Sequence, residues 1–235
     1  MNKDLMDFGA ILFDMDGVII DTKHQVETFW FEKMKEHGVH IDNNYVETNL
    51  HGRPARFIIE DLFSHLNKTD RLKLEHECIE YDSIPGSFEI LPGVEFFLHA
   101  LLNTGVKFGL VTSALPSKVS RMLKSLSLPN PFKEIVTANE VKKGKPDPEC
   151  YLLGAEKLGV NISSILVFED SVSGIQAANH AGATVIGVNK PEIAPMLLDA
   201  GACYTIQNFS EIGLGDDTST FQFAKTGKKF SIHSL

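Results

Sequence analysis

Short, almost wholly apolar runs recur along the chain, and a helical pattern follows each of them. Residues 9–13 read Gly-Ala-Ile-Leu-Phe and end on Asp14, and similar runs span 106–111, 165–168 and 184–188. A strand buried on both faces reads this way, because neither face is reserved for polar residues. Behind Pro116, apolar residues recur at helical spacing as Val119, Met122, Leu123 and Leu126. The same spacing follows Pro148 (Tyr151, Leu152, Ala155, Leu158) and Ser171 (Ile175, Ala178, Ala181). A proline in a first turn, a serine able to cap, and Gly159 or Gly182 just past a last turn mark helix boundaries. Such alternation predicts an α/β fold, a Rossmann-like doubly wound parallel sheet with helices on both faces.

Residues 22–83 break this rhythm. Phe29, Trp30 and Met34, then Phe57, Ile58, Asp61 and Leu62, then Leu72, Leu74 and Ile79 suggest helices with no buried strand between them. Turn signals bound the stretch, with Asp21-Thr22 before it and Pro85-Gly86 after it; Leu91-Pro92-Gly93 opens the next helix. The expected organisation is a discontinuous α/β core domain, 1–21 and 87–235, interrupted by a helical domain at 22–86. Phe29, Trp30 and Phe31 are read as the core of the inserted part. Residues 213–220 read as a loop. Phe221, Phe223, Phe230 and Ile232 flank Thr226-Gly227, which predicts a small hairpin over 220–233.

Composition narrows the function classes. The apolar fraction is 43%, enough for a full core. The formal charge is -9, from 22 Lys plus Arg against 31 Asp plus Glu, which disfavours nucleic acid and anionic membrane as partners. A phosphorylated small molecule stays compatible, because a few local cations outweigh a distant field. Cys78, Cys150 and Cys203 form no close pair, so they are read as reduced core residues rather than a disulfide framework. His37 and His40 lie close together but not at a metal-ligand spacing. The apolar stretch after residues 1–7 is too short for a signal peptide core, and no run reaches membrane-span length. The cytoplasm is the expected location.

Open parallel sheets bind ligands at the carboxyl ends of their strands. The residues just beyond the runs are therefore the ones to weigh. They are Asp14, Met15, Asp16 and Gly17; Thr112 and Ser113; and Glu169 and Asp170. Lys145 lies between the last two sets, in Lys-Gly-Lys-Pro-Asp-Pro. Clustered carboxylates suit a hard cation such as magnesium, and without one a carboxylate among them must take a proton. Beside such a cation, Asp14 can remain ionised and attack a phosphate. Asp16 can exchange a proton with the leaving oxygen. Thr112 and the amides after it can hold phosphoryl oxygens, and Lys145 can supply charge where negative charge builds up. Gly17 lets the chain turn sharply beside the bound group.

Four segments in order carry a resemblance to the haloacid dehalogenase-like superfamily of phosphotransferases, over roughly 9–212. They are Phe13-Asp14-Met15-Asp16-Gly17-Val18, Val111-Thr112-Ser113, Lys145 in Gly144-Lys145-Pro146-Asp147-Pro148, and Phe168-Glu169-Asp170-Ser171-Val172-Ser173-Gly174. The resemblance implies that Asp14 is the nucleophile and Asp16 the acid/base. It implies Mg2+ held by Asp14, the backbone carbonyl of Asp16 and Asp170, with Glu169 in support, and phosphate bound by Thr112, Ser113 and Lys145. The insertion resembles the helical cap of the subgroup with sugar phosphatases and β-phosphoglucomutase. There, Gly52-Arg53-Pro54-Ala55-Arg56 falls where the resemblance places a substrate-specificity loop, so Gly52, Arg53 and Arg56 are candidate substrate contacts. His24, Lys142 and Lys143 read as surface groups.

The implied function is a magnesium-dependent phosphatase acting on a small phosphate monoester through an aspartyl-phosphate. Two alternatives stand beside it, a phosphomutase of the β-phosphoglucomutase kind and a non-catalytic binding protein on the same fold. Dehalogenase relatives lack the second aspartate, which is present here as Asp16. In the mutase a cap histidine twelve positions after the nucleophile gates the phosphoenzyme; here that position is Val26, which cannot share a proton.

Overall fold

The computed structural model describes residues 5–215 and 219–233. In chain order its strands are β1 (Leu5–Phe8), β2 (Ala10–Phe13), β3 (Lys107–Val111), β4 (Glu134–Val136), β5 (Ile165–Glu169), β6 (Thr184–Val188), β7 (Tyr204–Ile206), β8 (Ile212–Leu214), β9 (Thr220–Phe223) and β10 (Lys229–Ile232). Its α-helices are α1 (Lys23–Glu36), the short α2 (Asn43–Tyr45), α3 (Ala55–Leu62), α4 (Lys68–Asp82), α5 (Val94–Thr104), α6 (Pro116–Ser125), α7 (Glu149–Leu158), α8 (Val172–Ala181) and α9 (Ala194–Asp199). Among the described residues, no helix is long and apolar enough to cross a membrane.

The expected parallel sheet is present, with six strands in the order β4-β3-β2-β5-β6-β7. The four predicted runs supply its centre. The edge strands β4 and β7 have three residues each, too few to show a period in the sequence. Side chains alternate between two clusters. Ile11, Phe13, Leu110, Leu166 and Phe168 face one way, toward α5 and α6. Leu12, Val111, Ile165 and Val167 face the other, toward α7 and α8. Both faces are thus covered, which is why these strands read as continuous apolar runs. Phe13 stands opposite Leu110 on one side and Phe168 on the other, so β2, β3 and β5 deliver their next residues to one edge.

The boundary signals work as expected. Pro116 starts α6, Ser171 caps α8 by accepting from the Gly174 amide at 3.1 Å, and Gly159 and Gly182 close α7 and α8 in the left-handed conformation. Residues 22–83 hold helices only, plus one π-helical turn at Val46–Leu50. Their core is a cluster of their own, containing Phe29, Trp30, Met34, Leu50, Ile58, Phe63 and Leu74. Phe31 does not join it: on α1 it points away from Phe29 and Trp30 and is 44% exposed. Cys203 likewise departs from the core reading and is exposed, whereas Cys150 is buried.

The C-terminal hairpin forms, with β9 antiparallel to β10 and Gly227 at the turn (φ 67). It belongs to a larger four-stranded sheet, β1-β10-β9-β8, that no local pattern announced. β1 pairs parallel with β10 across almost the whole chain, Met6 opposite Phe230. The loop reading of 213–220 is corrected at both ends, because Gly213 and Leu214 belong to β8 and Thr220 to β9; residues 216–218 lie outside the described residues, as do 1–4 of the expected core domain. Phe221, Phe223 and Phe230 are fully buried and share one cluster with Phe13, Phe97 and Phe168. The second sheet therefore packs as part of the core shared with β2 and β5.

Candidate active site

Asp14 is the first residue beyond β2, and its amide donates to the Phe168 carbonyl at 2.9 Å. Asp170 is the first beyond β5. Thr112 is the first beyond β3, with its amide bonded to the Val136 carbonyl at 2.9 Å. Adjacent parallel strands thus set these three side chains side by side. Lys145 arrives from the segment between β4 and α7. Its Nζ lies 2.5 Å from Asp14 Oδ1 and 2.5 Å from Glu169 Oε1. All five residues are buried.

Glu169 is fully engaged inside the protein. Beyond Lys145, its Oε1 accepts from the Tyr151 hydroxyl at 2.9 Å, and its Oε2 accepts from the amide and the hydroxyl of Ser171, each at 3.0 Å. It holds Lys145 in place and stiffens the entry to α8. This closeness requires Gly174, since a Cβ there would fall 1.7 Å from Glu169 Oε1. Gly17 is similarly tight against Asp170, and its positive φ of 73° lets the chain reverse after Asp16. The Asn189 side chain donates to the Asp170 carbonyl at 3.0 Å.

One carboxylate oxygen from each of Asp14, Glu169 and Asp170 lies within 4.8 Å of the other two. One ammonium does not balance three acids. Burial, opposed by Lys145 and reinforced by Glu169 and Asp16, pushes the Asp14 carboxyl up to about 8. Burial and the charges of Glu169 and Asp14 push Asp170 well above the usual carboxylate range. Burial alone would lower the Lys145 ammonium, but Asp14 and Glu169 hold it well above its ordinary value. A hard divalent cation among these oxygens would remove the proton-binding tendency of the acids, and all-oxygen donors are what such a cation takes. The residues present therefore fit a divalent metal.

Asp16 sits at the rim with its Oδ1 held twice. The Thr22 hydroxyl donates to it, and Lys118 Nζ lies 2.9 Å away. Lys118 Nζ also lies 3.3 Å from Asp82 Oδ1. Burial would depress the Lys118 ammonium, yet Asp16 and Asp82 together raise it above the ordinary lysine range. Neither Lys118 nor Asp82 stands out in the sequence. The available signal was Pro116, since a helix opening right after Thr112-Ser113 must place its first turn against the same edge.

A cavity of about 190 Å³ separates this edge from the helical insertion. Asp14, Asp16, Thr112 and Asp170 line it on one side, and Val26, Phe29, Trp30, Leu50 and Ile58 on the other. The candidate loop residues reach it unequally. Arg53 lines it while pairing with Asp61 at 2.6 Å. Arg56 also lines it, donating to the Val141 carbonyl at 3.1 Å and lying over the Phe57 ring. The Gly52 carbonyl accepts from the Ser113 hydroxyl at 2.7 Å, and the His51 carbonyl from Ser173 at 2.9 Å. Ser113, expected at the phosphate, lines the cavity and also holds the loop of the insertion. Lys23 and His51 add polar groups to the wall, paired with Glu47 at 2.9 Å and Glu27 at 3.1 Å. His24, Lys142 and Lys143 are exposed, as expected.

A parallel α/β sheet with this row of groups at its edge defines a class, and the comparisons with known proteins agree with it. The chain belongs to the haloacid dehalogenase-like hydrolase family, whose profile matches residues 11–188. Among its relatives is hexitol phosphatase A of Escherichia coli, 34% identical over 193 residues, 80% of this chain and 86% of the relative. Another is a phosphorylated carbohydrates phosphatase of Thermotoga maritima, 35% identical over 202 residues, 82% and 91% of the two chains. Among solved structures, β-phosphoglucomutase of Clostridium difficile superposes with a TM-score of 0.75 at 26% identity, covering 88% of this chain and 94% of that one.

Proposed function

We propose that the chain is a magnesium-dependent phosphatase of a small phosphorylated carbohydrate or polyol, working through a phosphorylated Asp14. The observation that carries this reading is the buried Asp14–Lys145–Glu169 chain beside Asp170, opening on a cavity rimmed by Asp16. In the first step an Asp14 carboxylate oxygen bonds to phosphorus as the bond to the leaving oxygen breaks. Asp16 gives that oxygen its proton, and the alcohol departs. In the second step Asp16, now a carboxylate, takes a proton from water. The water oxygen bonds to phosphorus, the Asp14–phosphorus link breaks, and phosphate leaves with both side chains restored.

Lys145 offsets charge on Asp14 and the phosphoryl oxygens, and Thr112 with the amides after it would hold those oxygens. Asp14, Asp170 and the Asp16 carbonyl would hold Mg2+, with Glu169 behind them. Bound there, the metal would supply the positive charge that keeps Asp14 ionised beside an anionic substrate. Residues 22–86 act as the cap that covers the site and, through the loop with Gly52, Arg53 and Arg56, select the leaving group. The names of the relatives support a carbohydrate substrate. The mutase reading is weaker, because the cavity wall has apolar Val26 where a gating histidine would stand. A phosphate-release screen over sugar phosphates, polyol phosphates and nucleotides with magnesium tests the proposal. Phosphate should appear from several monoesters with no bisphosphate primer. Faster conversion of β-glucose 1-phosphate to glucose 6-phosphate than phosphate release from either would reverse the ranking.

A further inference from the structure

Two chain segments join the helical insertion to the sheet layer, and both run into one small network. The first passes through Thr22, whose hydroxyl donates to Asp16 Oδ1. The second begins at Asp82, the last residue of α4, whose carboxylate lies 3.3 Å from Lys118 Nζ. Lys118 closes the circuit at 2.9 Å from the same Asp16 oxygen. It is anchored in the first turn of α6 and only 4% exposed. One turn further along α6, Arg121 donates to the Asp82 backbone carbonyl and lies over the Phe88 ring at 4.5 Å. The sheet layer thus grips Asp82 by both its carboxylate and its backbone. Thr22 and Lys118 both act on Asp16 Oδ1, while Oδ2 takes no hydrogen bond from the described residues. The carboxylate is held by one oxygen, and Asp16 lines the cavity.

We propose that Lys118 is a positioning residue for proton transfer by Asp16, and that Asp82 makes this positioning depend on the insertion being seated over the sheet edge. A long flexible ammonium with one partner could settle in several rotamers. Pinned between Asp82 and Asp16, it has one. When α4 lifts, Lys118 loses its second partner and Asp16 its fixed geometry, so proton transfer is efficient only when the cavity is covered. A misplaced proton donor loses a large part of the roughly 10²- to 10⁴-fold that general acid catalysis supplies. The proposal rests on the acid/base reading of Asp16 given above.

The test compares two substrates in the first turnover. Glycerol 1-phosphate has an alkoxide-like leaving oxygen that needs a proton, whereas p-nitrophenyl phosphate has one that leaves without it. K118M should lower first-turnover cleavage of glycerol 1-phosphate by about 10²-fold, and release of p-nitrophenol by less than about fivefold. D82N should show the same split at about tenfold, and should cost less than about twofold more when added to K118M, since the two act as one unit. Equal losses on both substrates in folded K118M, or additive effects of the two variants, would overturn the proposal. Should K118M fail to fold, D82N alone decides, because an equal or absent effect on the two substrates contradicts the role. D16N is the control that separates the failures. If D16N cleaves glycerol 1-phosphate at the wild-type rate, the acid/base reading falls and the Lys118 role with it. If D16N is inactive but K118M shows no split, only the Lys118 role falls.

Discussion

At the scale of single residues the site is a problem in charge placement. Asp14 is both the proposed nucleophile and a buried acid whose carboxyl burial pushes up to about 8. Asp14→Asn keeps the shape and removes the attacking oxygen anion. It should cut turnover by about 10³-fold or more while circular dichroism and the thermal midpoint stay near wild type; an active Asn variant would exclude Asp14 as nucleophile. Gly174 provides a steric test of the other end of the constellation. In a free helix, Gly→Ala stabilises by about 1 kcal/mol. Here the added methyl would meet the Glu169 carboxylate, so overpacking of about 1–3 kcal/mol should win and the sign should reverse. Urea unfolding of Gly174→Ala measures this, and a gain in stability would show that Glu169 can move aside without cost.

At the scale of elements, two packings carry function that their local sequences do not display. The C-terminal strands β9 and β10 bury Phe221, Phe223 and Phe230 against Phe97 and Phe209, beneath the sheet that holds Asp14. Phe221→Ala should therefore cost about 3–5 kcal/mol, as a core truncation does, rather than the small loss of a peripheral hairpin. Equilibrium urea denaturation checks the figure, and a loss under about 1 kcal/mol would make the second sheet an appendage. On the opposite side, Ser113 and Ser173 each give a hydrogen bond to a backbone carbonyl of the 51–53 loop. Removing both hydroxyls should weaken loop docking by about 1–3 kcal/mol, read as a lower kcat/KM with an unchanged melting curve. Unchanged kinetics in Ser113→Ala/Ser173→Ala would mean that the loop is held by other contacts, such as Arg56 to Val141.

At the scale of the whole molecule, the proposed mechanism assigns the chemistry to the sheet layer and the enclosure to the helical insertion. If Asp14 and Asp170 hold the metal, binding stabilises the folded state by mass action, about 2.7 kcal/mol at a hundredfold excess over Kd. Magnesium should raise the thermal midpoint of the wild type and leave Asp170→Asn nearly unmoved, a readout independent of turnover. Calcium, which can bind a carboxylate through both oxygens, should inhibit, because Asp14 held that way would have no oxygen free to attack. Full activity after exhaustive chelation would refute the metal requirement. A cavity of about 190 Å³ under a helical layer also predicts that a folded phosphoprotein is cleaved far more slowly than a small monoester. Matching rates would show that the insertion does not enclose the site.

The apolar runs, the helix boundaries and the residues just past each run were legible in the sequence, because they obey local rules of period, capping and strand burial. Those rules suffice to place Asp14, Thr112 and Asp170 at one sheet edge, since parallel strands deliver their next residues to the same end, whereas Lys145 reaches it from the segment between β4 and α7. Short edge strands such as Glu134–Val136 escaped, as did the pairing of Leu5–Phe8 with Lys229–Ile232, which depends on contacts between opposite ends of the chain. The same limit hid Phe31's exposure, because which face of α1 is buried depends on α3 and α4. It hid Lys118 and Asp82 too. Thirty-six positions separate them in the chain, and nothing local distinguishes a lysine facing solvent from one caught between two carboxylates. Only the docking of the insertion on the sheet decides that, by closing the space around an ammonium that the sequence leaves free.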